Sequence, residues 1–231
     1  MTERRVRGLD AACRALAAGR PVVLPNATPL AYIVVATDPR EVNRLKRRPL
    51  EQNVGITLYD DADWQALQPA LDLAADAVAR MLVLMRRELL SFLVPVRDGA
   101  ELPKWIRPAV RHGRVGLFAG RWPPLAPLWE RFPRLFGSSA NRTGEPPVSS
   151  AAEAVAVFGD AAVVVDGDGC RDAAATRGAT TILRIEPDGT LGLHRSGAHD
   201  AGLAAEQYLR RLDASADGEP WARRTPGRIR A

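Results

Sequence analysis

The sequence predicts an α/β fold in which helices flank a single sheet. Short apolar, β-branched runs alternate with stretches whose apolar residues recur at helical spacing over most of the 231 residues. Apolar residues make up 46% of the chain, which is enough for one sizeable core. Residues 180–185 and 191–195 flank a Pro-Asp-Gly-Thr turn and form the clearest hairpin pattern. These three observations favour one sheet-based domain.

Apolar residues at helical spacing predict the helices. In the first, Leu9, Ala12, Cys13 and Leu16 share one face, and Gly19 ends the pattern. The helix that follows the second strand ends at a basic segment closed by Pro49. In chain order the predicted helices cover residues 8–18, 39–45, 69–90, 125–132, 151–158 and 201–212, with shorter helical segments at 60–64 and 103–106.

Short apolar runs bounded by turn formers predict the strands. They cover residues 21–25, 32–36, 54–59, 92–96, 115–119, 163–165, 180–185 and 191–195. Residues 26–29 form a loop, because the residue before Pro29 avoids the helical region. Residues 137–147 follow the apolar pair Leu135-Phe136 and predict a strand end, a polar loop and a helix start.

The predicted organisation is a domain over residues 1–200, a C-terminal helix over 201–213 and a disordered, Arg-rich tail over 214–231. The two cysteines match no metal spacing, and nothing suggests dependence on a disulfide. We find neither an apolar signal segment at the start nor a run of about 20 apolar residues that could span a membrane. These features predict a cytoplasmic protein with no metal site of its own and no membrane partner.

The composition favours an anionic partner. Net charge is +5 and the pI is about 9.8, values that suit nucleotides or RNA. The chain lacks the phosphate-loop, dinucleotide, zinc-protease and nucleophile-elbow motifs. Its three histidines all follow residue 110, so a His-based catalytic apparatus is hard to assemble. Asp166 and Asp168 fit either a strand-end turn or a site for Mg²⁺ carried by a nucleotide.

Cations and hydroxyl groups remain at the ends of predicted elements. In residues 137–147, small and hydroxyl residues leave backbone N–H groups free to face an anion, although a surface turn is the alternative. Without a nucleophile–base pair, these groups predict a triphosphate site that works by positioning and charge stabilisation. The candidate residues are Lys46, Arg48, Ser139, Asn141, Thr180 and Arg195.

Four segments together resemble motifs of the YrdC/Sua5 family, the threonylcarbamoyl-AMP synthases. Residues 46–49 match its Lys-x-Arg-Pro motif, and residues 138–144 resemble its Ser-x-Asn motif. Residues 180–182 look like its Ser-Thr-Val element, and residues 194–197 look like its Leu-Arg-Pro-Gly element. The resemblance covers roughly residues 8–198 and is to the short, single-domain form.

The resemblance implies a YrdC-like, twisted open mixed sheet with flanking helices and a concave basic face. It implies synthesis of L-threonylcarbamoyl-adenylate from ATP, bicarbonate and L-threonine, with pyrophosphate released and Mg²⁺ accompanying ATP. The product would serve t6A modification of tRNA through tRNA or a downstream transferase. The six candidates above would hold nucleotide and phosphates, and the amino-acid pocket would include Asn26, Thr28, Leu30 and Ser91.

The sequence also departs from the family pattern. Asn26 stands for a Thr, Leu30 for an aromatic residue and Gln52 for a second Lys. A family arginine falls near Phe118, where Arg121 could occupy similar space. Three functions therefore stay open: threonine-dependent synthesis, adenylation of a different N-carboxylated amine in a specialised pathway, and binding of RNA or a nucleotide without turnover.

Overall fold

A computed structural model describes residues 6–200 and 202–216. Its helices are α1 (Leu9–Ala17), α2 (Pro39–Leu45), α3 (Asp61–Leu67), α4 (Ala75–Arg87), α5 (Ala126–Arg131), α6 (Ala151–Phe158) and α7 (Ala205–Ala216). Residues 214–216, which the sequence assigned to a disordered tail, are the last residues of α7, and the rest of that predicted tail, residues 217–231, lies outside the described residues.

Side-chain caps explain where several helices begin. Asp38 accepts a hydrogen bond from the Arg40 N–H at the start of α2, and Asp60 accepts one from the Ala62 N–H at the start of α3. Ser150 does the same for the Glu153 N–H of α6. Each cap satisfies one of the N–H groups that a first helical turn leaves unpaired.

The strands form one mixed sheet, which confirms the predicted α/β class. They are β1 (Val22–Leu24), β2 (Ile33–Ala36), β3 (Gly55–Leu58), β4 (Ser91–Pro95), β5 (Val110–Arg111), β6 (Arg114–Phe118), β7 (Arg134–Ser139), β8 (Val163–Val164), β9 (Ile182–Ile185) and β10 (Leu191–Arg195). Their order is β10-β9-β4-β6-β3-β7-β2-β1-β8, with β5 paired to β6. The pairs β1–β8, β3–β6 and β4–β9 are parallel, and the others are antiparallel.

Two apolar clusters cover the sheet unequally. The larger contains residues of α2, α3, α4, α6 and α7, and the smaller contains residues of α1 and α5. Val34 belongs to the larger cluster and Val35 to the smaller, as the alternation of a strand requires. Five helices therefore pack on one face, whereas α1 and α5 leave part of the other face uncovered.

Two element boundaries differ from the sequence prediction. Residues 69–90 do not form one helix, because the chain makes a 3-10 turn at Gln68–Ala70 and Leu71 then bridges to Val96. Helix α4 begins only at Ala75. The pairing of Leu71 with the end of β4 overrides its helical spacing. Residues 137–139 are not a loop either, since β7 continues to Ser139 and pairs with β2.

Smaller differences concern the connections. Strand β5 was not predicted, and its hairpin with β6 turns at His112 and Gly113, both with positive φ. The predicted helix at 103–106 is a turn, followed by a 3-10 helix at Arg107–Ala109. Helix α7 starts at Ala205 rather than at residue 201 and contacts both α4 and β10. Among the helices of the described ranges, none is long and apolar enough to cross a bilayer.

Candidate functional site

A cavity of about 390 Å³ lies on the uncovered part of the sheet. Strand β6 contributes Gly116, Leu117 and Phe118 to its lining, and Leu117 also belongs to the buried core. Of the described residues that line it, none is acidic, and the two permanent cations are Arg48 and Arg195. The cavity therefore has the charge and the size of a site for a small anionic ligand.

Glycines form part of the cavity floor. Gly55 of β3 pairs with Gly137 of β7, and Gly116 lies on the neighbouring strand β6. A Cβ atom at Gly55 would come 3.3 Å from the Gly116 carbonyl oxygen, and a Cβ at Gly116 would come 3.3 Å from the Gly55 Cα. Glycine inside a strand is typical of places where a ligand or another backbone approaches closely. Three adjacent strands thus present bare backbone to the cavity.

Lys46 holds the segment that follows β7. Its ammonium donates to the Ser139 carbonyl oxygen, to the Asn141 carbonyl oxygen at 2.8 Å and to Asn141 Oδ1 at 2.7 Å. The side chain is buried, with the residue 3% exposed. All three of its N–H donors bond to protein acceptors. Sequence reasoning placed Lys46 on a phosphate, but the structure shows it acting as a clamp beneath the site.

The pKa of Lys46 is lowered to about 7. Burial is the largest cause, because it penalises the charged form, and the nearby guanidinium groups of Arg48, Arg195 and Arg142 add to it. The three oxygen acceptors around the ammonium oppose this shift. Positive charge is therefore concentrated around Lys46.

Asn141 organises the loop between β7 and α6. Its side-chain oxygen accepts from Ser139 Oγ at 2.8 Å, and its amide donates to the Glu145 carbonyl oxygen at 2.7 Å. Ser139 lines the cavity, whereas Asn141 is not among the lining residues. The Asn141 side chain therefore shapes the loop behind Ser139 and does not itself line the cavity.

Arg142, which sequence reasoning missed, fixes the same loop to two helices. Its guanidinium donates to the Leu45 carbonyl oxygen at the end of α2 and, at 3.0 Å, to the Val157 carbonyl oxygen of α6. It also lies 4.9 Å from the centre of the Phe158 ring. Arg142 directly follows Asn141 in the segment that resembles the Ser-x-Asn motif, but the motif itself does not specify this residue.

Arg48 lines the cavity and is held by Asn43. Its Nε donates to Asn43 Oδ1 at 2.6 Å, while its buried Nη2 has no partner in the described part of the chain. Asn43 is itself fully buried and donates to the carbonyl oxygens of Leu50 and Gln52. The sequence feature that could have identified Asn43 is a polar residue at a helix position that the apolar pattern buries. Asn43 fixes the orientation of Arg48 at the cavity.

Arg195 and Thr180 meet at the opposite side of the cavity. Arg195 donates to the Thr180 carbonyl oxygen at 2.7 Å, and both residues line the cavity. Thr181 points into the core instead, where its hydroxyl donates to Asp200 Oδ1 at 3.0 Å. The same Asp200 oxygen accepts the Gly197 N–H at 2.7 Å. The structure therefore separates two adjacent threonines into a lining residue and a core residue.

The predicted amino-acid pocket is only partly assembled. Asn26 and Ser91 line the cavity, as do Gln52 and Phe118. Thr28 is not among the lining residues, and Leu30 is 1% exposed within the core. The Leu30 carbonyl oxygen accepts a hydrogen bond from the buried Arg171. Leu30 is therefore a packing residue in this structure.

Contacts in the structure bear on two further residues, Arg121 and Asp168. Arg121 does not replace the family arginine near Phe118, because its guanidinium donates to the Tyr59 carbonyl oxygen and lies 3.5 Å from Asp61. Asp168 accepts hydrogen bonds from the Tyr32 hydroxyl at 2.9 Å and the Ala151 N–H at 2.7 Å. Both of its oxygens serve the turn, and no metal-ligating cluster is found in the described ranges.

The family model Sua5/YciO/YrdC, described as "Telomere recombination", matches residues 14–197. The chain therefore belongs to the Sua5/YciO/YrdC family. A curated relative, the Threonylcarbamoyl-AMP synthase of Klebsiella pneumoniae, is 32% identical over 126 residues, which is 53% of this chain and 63% of that protein. The match thus spans less than two thirds of the relative's length.

Solved structures show the same fold. P. abyssi Sua5 complexed with L-threonine superposes with a TM-score of 0.60 at 20% identity, over 88% of this chain and 56% of that one. E. coli YciO superposes with a TM-score of 0.60 at 15% identity, over 85% of this chain and 92% of that one. At these identities the likeness establishes the fold and leaves the activity to the site.

Proposed function

We propose that this protein synthesises L-threonylcarbamoyl-adenylate from ATP, bicarbonate and L-threonine, releasing pyrophosphate, as a step towards t6A modification of tRNA. The observation that carries the proposal is the cavity, which is lined by Arg48 and Arg195, backed by Lys46 and free of acidic lining residues in the described chain. The curated relative named as a threonylcarbamoyl-AMP synthase and the solved relative bound to L-threonine support the choice of reaction.

The chemistry needs anion binding more than acid–base groups. The threonine amine forms an N–C bond to bicarbonate, whose C–OH bond breaks so that water leaves with a proton of the amine. The carboxylate oxygen of the resulting N-carboxythreonine attacks the α-phosphorus of ATP. A new P–O bond forms as the bond to the β-phosphate bridging oxygen breaks, and pyrophosphate takes the electron pair. Guanidinium groups suit the charge that develops on the phosphate oxygens, so Arg48 and Arg195 would stabilise this step. Mg²⁺ would arrive with the triphosphate, and a downstream transferase or tRNA would receive the adenylate.

Pyrophosphate release from ATP tests the proposal. We expect release that requires both bicarbonate and L-threonine, and we expect Arg48→Met to lower it by roughly a hundredfold or more, because an oriented donor to the transferred phosphates is lost. Arg47→Met is the matched control, since Arg47 is exposed and does not line the cavity. Equal turnover in the two variants would contradict the assignment of Arg48.

A second candidate is adenylation of a different N-carboxylated amine. It is favoured by the uncharged Gln52 and Phe118 on the cavity wall, where the family pattern has cations, and by Asn26 in the predicted amine pocket. Release that needs bicarbonate and another amino acid, but not threonine, would select it. ATP binding without release for any amine would instead favour a paralogue that binds nucleotide or RNA, whose RNA affinity would fall steeply with salt.

A further inference from the structure

Strand β10 contains a one-residue bulge at His194. Leu193 pairs with Leu183 of β9, but Arg195 pairs with Ile182. The chain thus advances by two residues on β10 for one residue on β9. A bulge of this kind changes the direction of side chains, and bulges are common next to active sites.

The bulge places two neighbouring side chains on the same face. Leu183 is fully buried in the core, whereas Ile182 lines the cavity. In a regular strand, His194 would face the cavity and Arg195 would face the core. Because Arg195 pairs with Ile182 instead, it joins His194, and both residues line the cavity.

The surroundings of His194 suit an anion. The next residue, Arg195, lines the same cavity and is anchored by its hydrogen bond to the Thr180 carbonyl oxygen. His194 is exposed, and within the described residues no hydrogen bond or ion pair involves its ring. No acidic residue of the described chain lines this cavity. An imidazole N–H in this position has no protein acceptor to compete with a ligand oxygen.

We propose that His194 is a ligand-contacting residue, which donates a hydrogen bond to an oxyanion of the bound ligand beside Arg195. The oxyanion is a phosphate oxygen of ATP or a carboxylate oxygen of the amino acid. The inference rests on the proposed function in one respect: both place ATP or the amino acid in this cavity. It adds to the cavity wall a nitrogen donor that the family motif does not contain at this position.

Direct binding tests this inference separately from turnover. Isothermal titration calorimetry with ATP, pyrophosphate and L-threonine would compare wild type with His194→Ala and His194→Asn. We expect Ala to lower affinity for the contacted ligand roughly tenfold, since hydrogen bonds to charged groups are worth about that factor. Asn keeps an N–H donor and should retain much of the affinity. His112→Asn is the matched control, because His112 is exposed in the β5–β6 turn, where Asn tolerates positive φ.

The ligands distinguish the two sources of the oxyanion. A loss for ATP and pyrophosphate assigns His194 to a phosphate, and a loss confined to L-threonine assigns it to a carboxylate. Unchanged affinity for all three ligands in His194→Ala, with an unchanged melting temperature, would overturn the inference. Wild-type protein that binds none of the three would also overturn it. Wild-type protein that binds these ligands but releases no pyrophosphate would count against the proposed function alone.

Discussion

Lys46 carries its charge in a place where charge is unfavourable. Burial and the neighbouring guanidinium groups lower its pKa, and its donors are all used within the protein. The residue belongs to the basic motif that sequence reasoning identified. Its role as a clamp on the Ser139–Asn141 segment depends on a contact across 93 residues of chain, which no local pattern reveals.

The lowered pKa of Lys46 predicts a pH dependence of stability. Between a folded pKa of about 7 and the ordinary value of 10.5, the unfolded chain binds more protons at this site than the folded chain does. Unfolding free energy should therefore rise with pH across this window, by up to about 1.4 kcal/mol per pH unit. Below pH 7 both states are protonated, and the slope from this residue vanishes.

Urea unfolding of wild type and Lys46→Met from pH 6 to pH 9.5 would measure this effect. The variant should lack the part of the slope that comes from Lys46, so the difference between the two profiles should change with pH above about 7. Parallel profiles would show that the three oxygen acceptors keep the ammonium protonated throughout.

At the scale of elements, the end of β10 is fitted tightly against the segment before β9. A Cβ atom at Gly197 would lie 2.4 Å from the Ala179 carbonyl oxygen and 2.5 Å from the Thr181 nitrogen. Both contacts are with backbone, which cannot turn away as a flexible side chain does. Gly197 thus allows Arg195 and Thr180 to meet at the cavity.

Gly197→Ala should separate these two segments. We expect a loss of about 2–4 kcal/mol in unfolding free energy, since an atom forced into a packed backbone contact strains the fold. Gly192→Ala, within β10, is the control, because nothing lies within 4 Å of the added atom. Thermal unfolding of both variants measures the difference, and similar melting temperatures would refute this explanation of the glycine.

For the whole molecule, the uneven cover of the sheet decides where a ligand can bind. Helices α1 and α5 protect one end of the second face, and the cavity occupies the part they leave open. Strands β2, β3, β4, β6, β7, β9 and β10 all contribute residues to its lining, so the binding energy of a ligand there would act on the folded sheet as a unit. Binding should therefore be visible as global stabilisation.

Pyrophosphate should raise the melting temperature. At 100 times its dissociation constant it should add about 2.7 kcal/mol to the folded state, which corresponds to roughly 5–10 °C for a chain of this size. Adenosine, which lacks phosphates, should give a much smaller shift. In Arg48→Met combined with Arg195→Met the pyrophosphate shift should disappear, and a shift retained in that variant would place the anion elsewhere.

The sequence by itself determined the α/β class, most element positions and the family motifs. These depend on periodicity and turn residues, which act over a few neighbouring residues: apolar residues at helical spacing place α1, and Gly19 with its positive φ follows its end. It also identified Arg48, Ser139, Thr180 and Arg195 as candidates, and all four line the cavity.

Only the tertiary structure decided which candidates face the ligand and which support them. It placed Leu30 in the core, used all donors of Lys46 internally, and extended β7 through a segment rich in turn formers. It also brought in Asn43 and Arg142, and it turned Arg195 towards the cavity through a bulge. The physical reason is that these outcomes depend on strand register and on contacts between residues far apart in the chain, where packing and pairing override local preference.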